Sequence, residues 1–248
     1  MQIKVLDHYT ELSKQAAHIV IDTISRKEDS VLGLPTGGTP EGMYKELVEQ
    51  YKNGEISFSQ VTAFNLDEYI GIPQNHTQSY YTFMQEKLYS HIDIDSKQTH
   101  IPSGEATNLE LECSRYEKLI DQAGQLDLLI IGIGTNGHIG FNEPGADIQA
   151  TTSVVHLAQS TIEANARFFD RIEEVPKQAI TMGLGTMINK SKHILLLASG
   201  KQKAEIIQQL LTSQEVKSEL PASVLHLHQN VTILLDREAA SLWERISV

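Results

Sequence analysis

Short apolar runs alternate with amphipathic stretches from one end of this 248-residue chain to the other, and that alternation limits the possible folds more than any other feature. Runs such as 30–34, 60–65, 127–132, 193–198 and 231–235 have the length of strands buried on both faces, while the segments between them show helical spacing. Leu12, Ala16, Ile19, Val20 and Ile24 fall on one helical face. Thr39 is placed to cap the next helix, with Pro40 in its first turn and Gly54 at its end. Further helices are expected over 79–89, 108–123, 201–211 and 237–246, the second opening with Thr107 and Glu110 in capping-box register. Strands are also expected near 153–156 and 179–184. The pattern implies an α/β fold built on a single doubly wound, mainly parallel sheet with helices on both faces, a Rossmann-like arrangement. No linker, repeat or low-complexity tract divides the chain, so residues 1–248 read as one domain. The charged stretch 160–175 lacks a strong apolar period and reads as a mobile lid.

Composition excludes several classes. A net charge of −12, from 20 Lys and Arg against 32 Asp and Glu, leaves no basic cluster for nucleic acid. An anionic ligand must therefore be held by a few side chains and by oriented backbone N–H groups. No apolar run approaches the ~18 residues of a membrane span. The single cysteine, Cys113, can form neither an internal disulfide nor a thiolate metal site, which fits a reducing, cytoplasmic setting. The ten histidines lack the spacing of metal ligands, so neither a catalytic metal nor a cofactor is expected.

In open α/β sheets ligands gather beyond the carboxyl ends of the strands, where strand order reverses. Three loops in that position carry the chemistry. In 34–40, Leu-Pro-Thr-Gly-Gly-Thr-Pro, the adjacent Gly37 and Gly38, flanked by Thr36 and Thr39 before a helix start, can form a phosphate cradle or simply a tight turn. No Gly-Lys-[Ser/Thr] follows, so this is not a nucleotide-triphosphate loop. In 64–73, Asp67 and Glu68 lie just past a strand; either can be a general base aimed at the cleft or a turn cap.

The third loop, Gly134-Thr-Asn-Gly-His-Ile-Gly-Phe-Asn-Glu-Pro-Gly145, begins within the dinucleotide pattern Gly-x-Gly-x-x-Gly. Gly140 and Pro144 interrupt the helix such a site requires, and 152–162 holds no Asp or Glu for a ribose, so a nicotinamide site is rejected. Asn136, His138 and Glu143 stand close enough in sequence for the carboxylate to fold onto the imidazole and fix its tautomer, giving an acid/base pair. A surface histidine is the plainer alternative. Arg167 and Lys203 are the leading cations for an anion site, with solvated surface charge as the alternative for each.

Taken together, the segments 34–40, Phe64-Asn-Leu-Asp-Glu-Tyr69, Ser79-Tyr-Tyr81 and Gly137-His-Ile-Gly-Phe-Asn-Glu-Pro144 resemble the glucosamine/galactosamine-6-phosphate isomerase family over nearly the whole chain. The resemblance implies conversion of glucosamine 6-phosphate and water to fructose 6-phosphate and ammonia. It implies that His138, with Glu143, opens the sugar ring, and that Asp67 moves the C2 proton to C1. It also implies that Gly37, Gly38, Arg167 and Lys203 hold the 6-phosphate. Asn136 departs from members with an aspartate before the Gly-His pair; an amide can hydrogen-bond the substrate or the imidazole but cannot supply charge. The segment 146–156 lacks the Arg and Lys with which activated relatives hold an effector, so no allosteric activation by N-acetylglucosamine 6-phosphate is expected. The chain is shorter than those relatives, and a homo-oligomer is possible but their hexamer is not assumed. Two other readings stay open: a 6-phosphogluconolactonase-like hydrolase, which leaves Asp67 without a task, and a non-catalytic sugar-phosphate sensor, which calls for a lost catalytic residue and a DNA-binding module.

Overall fold

The computed structural model describes residues 1–166, 169 and 171–243. Its centre is a seven-stranded, wholly parallel sheet in the order β1-β10-β9-β6-β2-β3-β5. The strands are β1 (Gln2–Leu6), β2 (Val31–Leu34), β3 (Thr62–Asn65), β5 (Thr99–His100), β6 (Leu128–Gly132), β9 (Ile194–Ala198) and β10 (Val231–Asp236). Alternate residues feed two cores. Leu128, Ile130, Leu195 and Leu197 join one, while Leu129, Ile131, Ile194 and Leu196 join the other. Burial on both faces is why these strands read as unbroken apolar runs.

The first core is closed by α1 (Tyr9–Arg26) through Leu12, Ala16, Val20 and Ile24, and by α2 (Glu41–Lys52) through Met43, Tyr44 and Leu47. The second is closed by α4 (Leu109–Ala123), α7 (Ala204–Thr212) and α8 (Arg237–Ala240). Three short helices complete the set: α3 (Tyr80–Lys87), α5 (Gln159–Asn165) and α6 (Leu184–Asn189). Among the described residues no helix is long and apolar enough to cross a membrane.

The main sheet is not the only one. The segments expected near 153–156 and 179–184 form β7 (Ser153–His156) and β8 (Gln178–Thr181), which pair antiparallel with each other and with β4 (Asp67–Tyr69) in a separate three-stranded sheet. Strand periodicity identifies such segments but not the sheet they join.

Two expected caps are corrected. Thr39 does not cap α2: Pro40 occupies the cap position without a side-chain bond, and the Tyr9 hydroxyl accepts from the Gly42 N–H at 2.8 Å instead. The Thr107 and Glu110 capping box is replaced by Asn108, whose side chain accepts from the Leu111 N–H.

β2 leads to β3 on one side of the sheet and β6 leads to β9 on the other, so order reverses between the neighbours β2 and β6. The loops leaving their carboxyl ends, 35–40 and 133–145, therefore part around a crevice.

Candidate active site

A cleft of about 660 Å³ opens at this reversal point. Asp67, His138 and the Thr36–Thr39 loop all line it, together with Asn136 and Lys203.

The adjacent carboxylates Asp67 and Glu68 have opposite fates because successive residues of a strand point to opposite faces. Glu68 turns to the start of α3. Its Oε1 accepts from the N–H groups of Tyr69 at 2.8 Å and Tyr80 at 3.0 Å, and its Oε2 from Tyr81 at 2.9 Å. With Ser79 accepting from Thr82, the helix start is satisfied. Asp67 points into the cleft, is 5% exposed, and its carboxyl is pushed up to about 8 by burial and by the nearby Glu68. One carboxylate of the pair thus faces the cleft and the other holds the start of a helix.

Glycines set the third loop around these groups. The imidazole of His138 lies directly over Gly134, where an added Cβ would come within 2.3–2.5 Å of three ring atoms. Gly140, at φ +57°, brings the chain so near Asp67 that a Cβ would sit 3.1 Å from Oδ2. No helix follows β6 directly, as the interrupting Gly140 and Pro144 require.

Glu143 is clasped rather than free. Its Oε2 accepts from Asn136 Nδ2 at 2.7 Å and its Oε1 from Thr161 Oγ1 at 2.6 Å. Burial pushes this carboxyl up, but the interactions with His138, Thr161 and Asn136 outweigh that and take it down to about 2. His138 Nδ1 lies 3.5 Å from Glu143 Oε2 and is buried without a hydrogen-bond partner. Apo acid/base pairs are commonly this loose and tighten on the substrate. Asn136 bonds the ring at neither nitrogen; its Oδ1 accepts from the His138 backbone N–H at 3.2 Å, so it braces the loop and the carboxylate.

The glycine loop leaves backbone donors unclaimed. Gly37 is at φ +102°, and the N–H groups of Gly37, Gly38 and Thr39 donate to no described residue. Tyr9 holds the loop from behind, donating to the carbonyls of Gly38 and Thr39. Across the cleft, Lys203 ends a 3₁₀ turn over Lys201–Lys203 and occupies the cap position of α7. A cation there opposes the helix dipole, burial lowers its pKa, and no described carboxylate pairs with it. Such a lysine is stabilised by an incoming anion. Asp236 sets its turn, accepting from the Ser199 hydroxyl at 2.5 Å and the Gly200 N–H at 3.0 Å. Arg167 lies outside the described residues.

Sequence reasoning missed Thr161, Gly140 and Gln202 as parts of the cleft. Thr161 reaches it from α5, Gln202 stands beside Lys203, and Gly140 lies in the loop that carries His138, where it left a trace as the interruption of a would-be helix. Among the described residues no three His, Cys, Asp or Glu side chains gather as metal ligands would.

A histidine beside a carboxylate, a buried carboxyl and a glycine loop with free N–H donors gather beyond the ends of a parallel sheet, the place and chemistry of an enzyme acting on small molecules. The sequence profile of the glucosamine-6-phosphate isomerases/6-phosphogluconolactonases matches residues 7–234, and the chain belongs to that family. Within it, the chain is 54% identical over 242 residues to the glucosamine-6-phosphate deaminase of Thermoanaerobacter sp. (strain X514), covering 98% of this chain and 95% of the relative. The same enzyme of Clostridium perfringens (strain SM101 / Type A) is 48% identical, with 98% and 99% covered. A solved monomeric glucosamine-6-phosphate deaminase superposes with a TM-score of 0.95 at 49% identity, over 98% of this chain and all of that one. The 6-phosphogluconolactonase of Trypanosoma cruzi shares the fold, with a TM-score of 0.78 at 21% identity over 97% and 96%.

Proposed function

We propose that this enzyme converts glucosamine 6-phosphate and water to fructose 6-phosphate and ammonia. The observation that carries the reading is that the dry carboxyl of Asp67 shares one cleft with His138 and the Gly37 loop. The 6-phosphate sits on the N–H groups of 37–39 and on Lys203, with the hydroxyls of Thr36 and Thr39 alongside and Arg167 as a second cation. His138 takes the C1 hydroxyl proton and returns it to the ring oxygen, opening the pyranose. The ionised Glu143, braced by Asn136, stabilises the imidazolium formed on the way.

Asp67 then removes the C2 proton of the open-chain aldehyde and delivers it to C1. As the C2 ammonium gives up a proton and the C1 oxygen takes one, an enolamine forms and becomes a C2 imine; water adds at C2, and ammonia leaves. A base held near 8 by burial is mostly protonated at neutral pH. The ammonium that substrate brings to C2 favours the carboxylate and lowers that pKa in the complex. Residues 1–248 act as one domain in this scheme; of the expected lid 160–175, Thr161 is tied to Glu143, and residues 167, 168 and 170 lie outside the described residues.

Ammonia release from glucosamine 6-phosphate, measured for the wild type and Asp67→Asn, tests the reading. Rapid release by the first and a loss of about 10²- to 10⁴-fold in the second is expected. No release by the wild type, or hydrolysis of 6-phosphogluconolactone without exchange of a C2 hydrogen, would replace it with the lactonase reading. The absence of Lys and Arg from 146–156 supports an unregulated enzyme, so N-acetylglucosamine 6-phosphate should leave a hyperbolic substrate curve unchanged.

A further inference from the structure

Glu143 is bonded at both oxygens, by donors that arrive from different elements. Asn136 belongs to the same glycine-rich loop; Thr161 stands 18 residues further on, in α5. A carboxylate held at one oxygen can still turn about its broad terminal torsion, whereas one held at both from separate elements is fixed. The orientation matters because Oε2 lies 3.5 Å from a buried Nδ1 that has no other partner, so a small rotation makes or loses that contact.

Several helical hydroxyls bond within their own helices. Ser13, Thr23 and Thr212 each turn back and donate to the carbonyl four residues earlier in their own helices. Thr161, in the first turn of α5, has no helical carbonyl four residues earlier; like Thr186, which donates to Glu117, it bonds a carboxylate, and its hydroxyl reaches Glu143 from the lining of the cleft.

We propose that Thr161 is a positioning residue for ring opening, its hydroxyl holding the Glu143 carboxylate so that Oε2 faces Nδ1 of His138. The inference rests on the deaminase reading of the site. It gives α5 a part in the chemistry, since the chain runs on from that helix to Arg167. The segment carrying a phosphate cation would thus also aim the acid/base pair.

Thr161→Val keeps the β-branched shape and removes the donor, and Thr161→Ser keeps the donor. In Thr161→Val, kcat for ammonia release should fall roughly 10- to 100-fold, the range of a hydrogen bond to a charged group, with KM within about threefold. Thr161→Ser should recover most of the loss. Because ring opening precedes proton abstraction, the deuterium isotope effect with C2-labelled substrate should be no larger in Thr161→Val than in the wild type. In a Glu143→Gln background Thr161→Val should cost nothing further, a comparison that discounts any general loss of folded enzyme. A Thr161→Val rate within twofold of wild type, a larger isotope effect, or an additive loss in that background overturns the inference. A wild type that releases no ammonia overturns the functional reading beneath it instead.

Discussion

Replacing Asp67 by asparagine should strengthen the fold while disabling the enzyme, and the gain should depend on pH in a defined way. The carboxyl goes from 3.8 in the open chain to about 8 in the cleft. A group whose folded pKa is raised supports folding fully below its unfolded value, here below about pH 3.8, and that support is lost as pH rises towards 8. At roughly 1.4 kcal/mol per pH unit, the wild type at pH 7 has forfeited on the order of 4 kcal/mol relative to a neutral side chain. The new amide needs partners the site does not offer, which offsets about 1–3 kcal/mol. The pH dependence is therefore a cleaner quantity than the net gain. Urea unfolding of both proteins from pH 5 to 9 should show the variant's advantage growing by about one decade of equilibrium constant per pH unit up to pH 8, then levelling. A difference that stays flat between pH 5 and 8 would show that Asp67 is ionised in the native state, and the argument for a dry base fails.

Three further outcomes follow from the geometry. Gly134→Ala drives a methyl into the imidazole of His138, so kcat should drop at least about 10-fold; normal turnover would mean the ring's seat is unimportant. Lys203→Met removes a half-buried cation that no described carboxylate pairs: KM for the sugar phosphate and the inhibition constant of inorganic phosphate should both rise roughly 10- to 100-fold, with unfolding little changed. If phosphate inhibits the variant as well as it does the wild type, Lys203 is not in the anion site. Glu68→Ala strips three N–H groups of their acceptor and should destabilise by about 2–4 kcal/mol in chemical denaturation, in contrast to the gain at Asp67.

Much of the architecture was legible because strands buried on both faces leave continuous apolar runs, and the helices covering them leave one-sided stripes. The small sheet escaped as a separate unit because β4 has only three residues, two of them acidic, and no apolar run marks it. At the site, the proximity of Asn136, His138 and Glu143 followed from a short glycine-rich loop, and the crevice holding 37 and 138 from the reversal of strand order. The division between Asp67 and Glu68 was not legible, since it turns on which face of β4 meets the start of α3. Thr161 was invisible for a similar reason. A hydroxyl in an ordinary helix carries no local sign that it will bond a carboxylate across a cleft.

One consequence of the two-sheet arrangement bears on which sugars fit. The anion cradle extends from the parallel sheet and Asp67 from the antiparallel one, and the two meet where the Met182 N–H donates to the Leu66 carbonyl at 2.7 Å. In the proposed binding mode, the reach from phosphorus to the proton that must move is gauged by a joint between sheets, not by the span of either. Widening that joint, as with a bulkier residue at Met182, should shift preference among phosphorylated amino sugars by carbon number before it harms proton transfer itself. Equal losses on five- and six-carbon substrates would show that the joint is no such calliper.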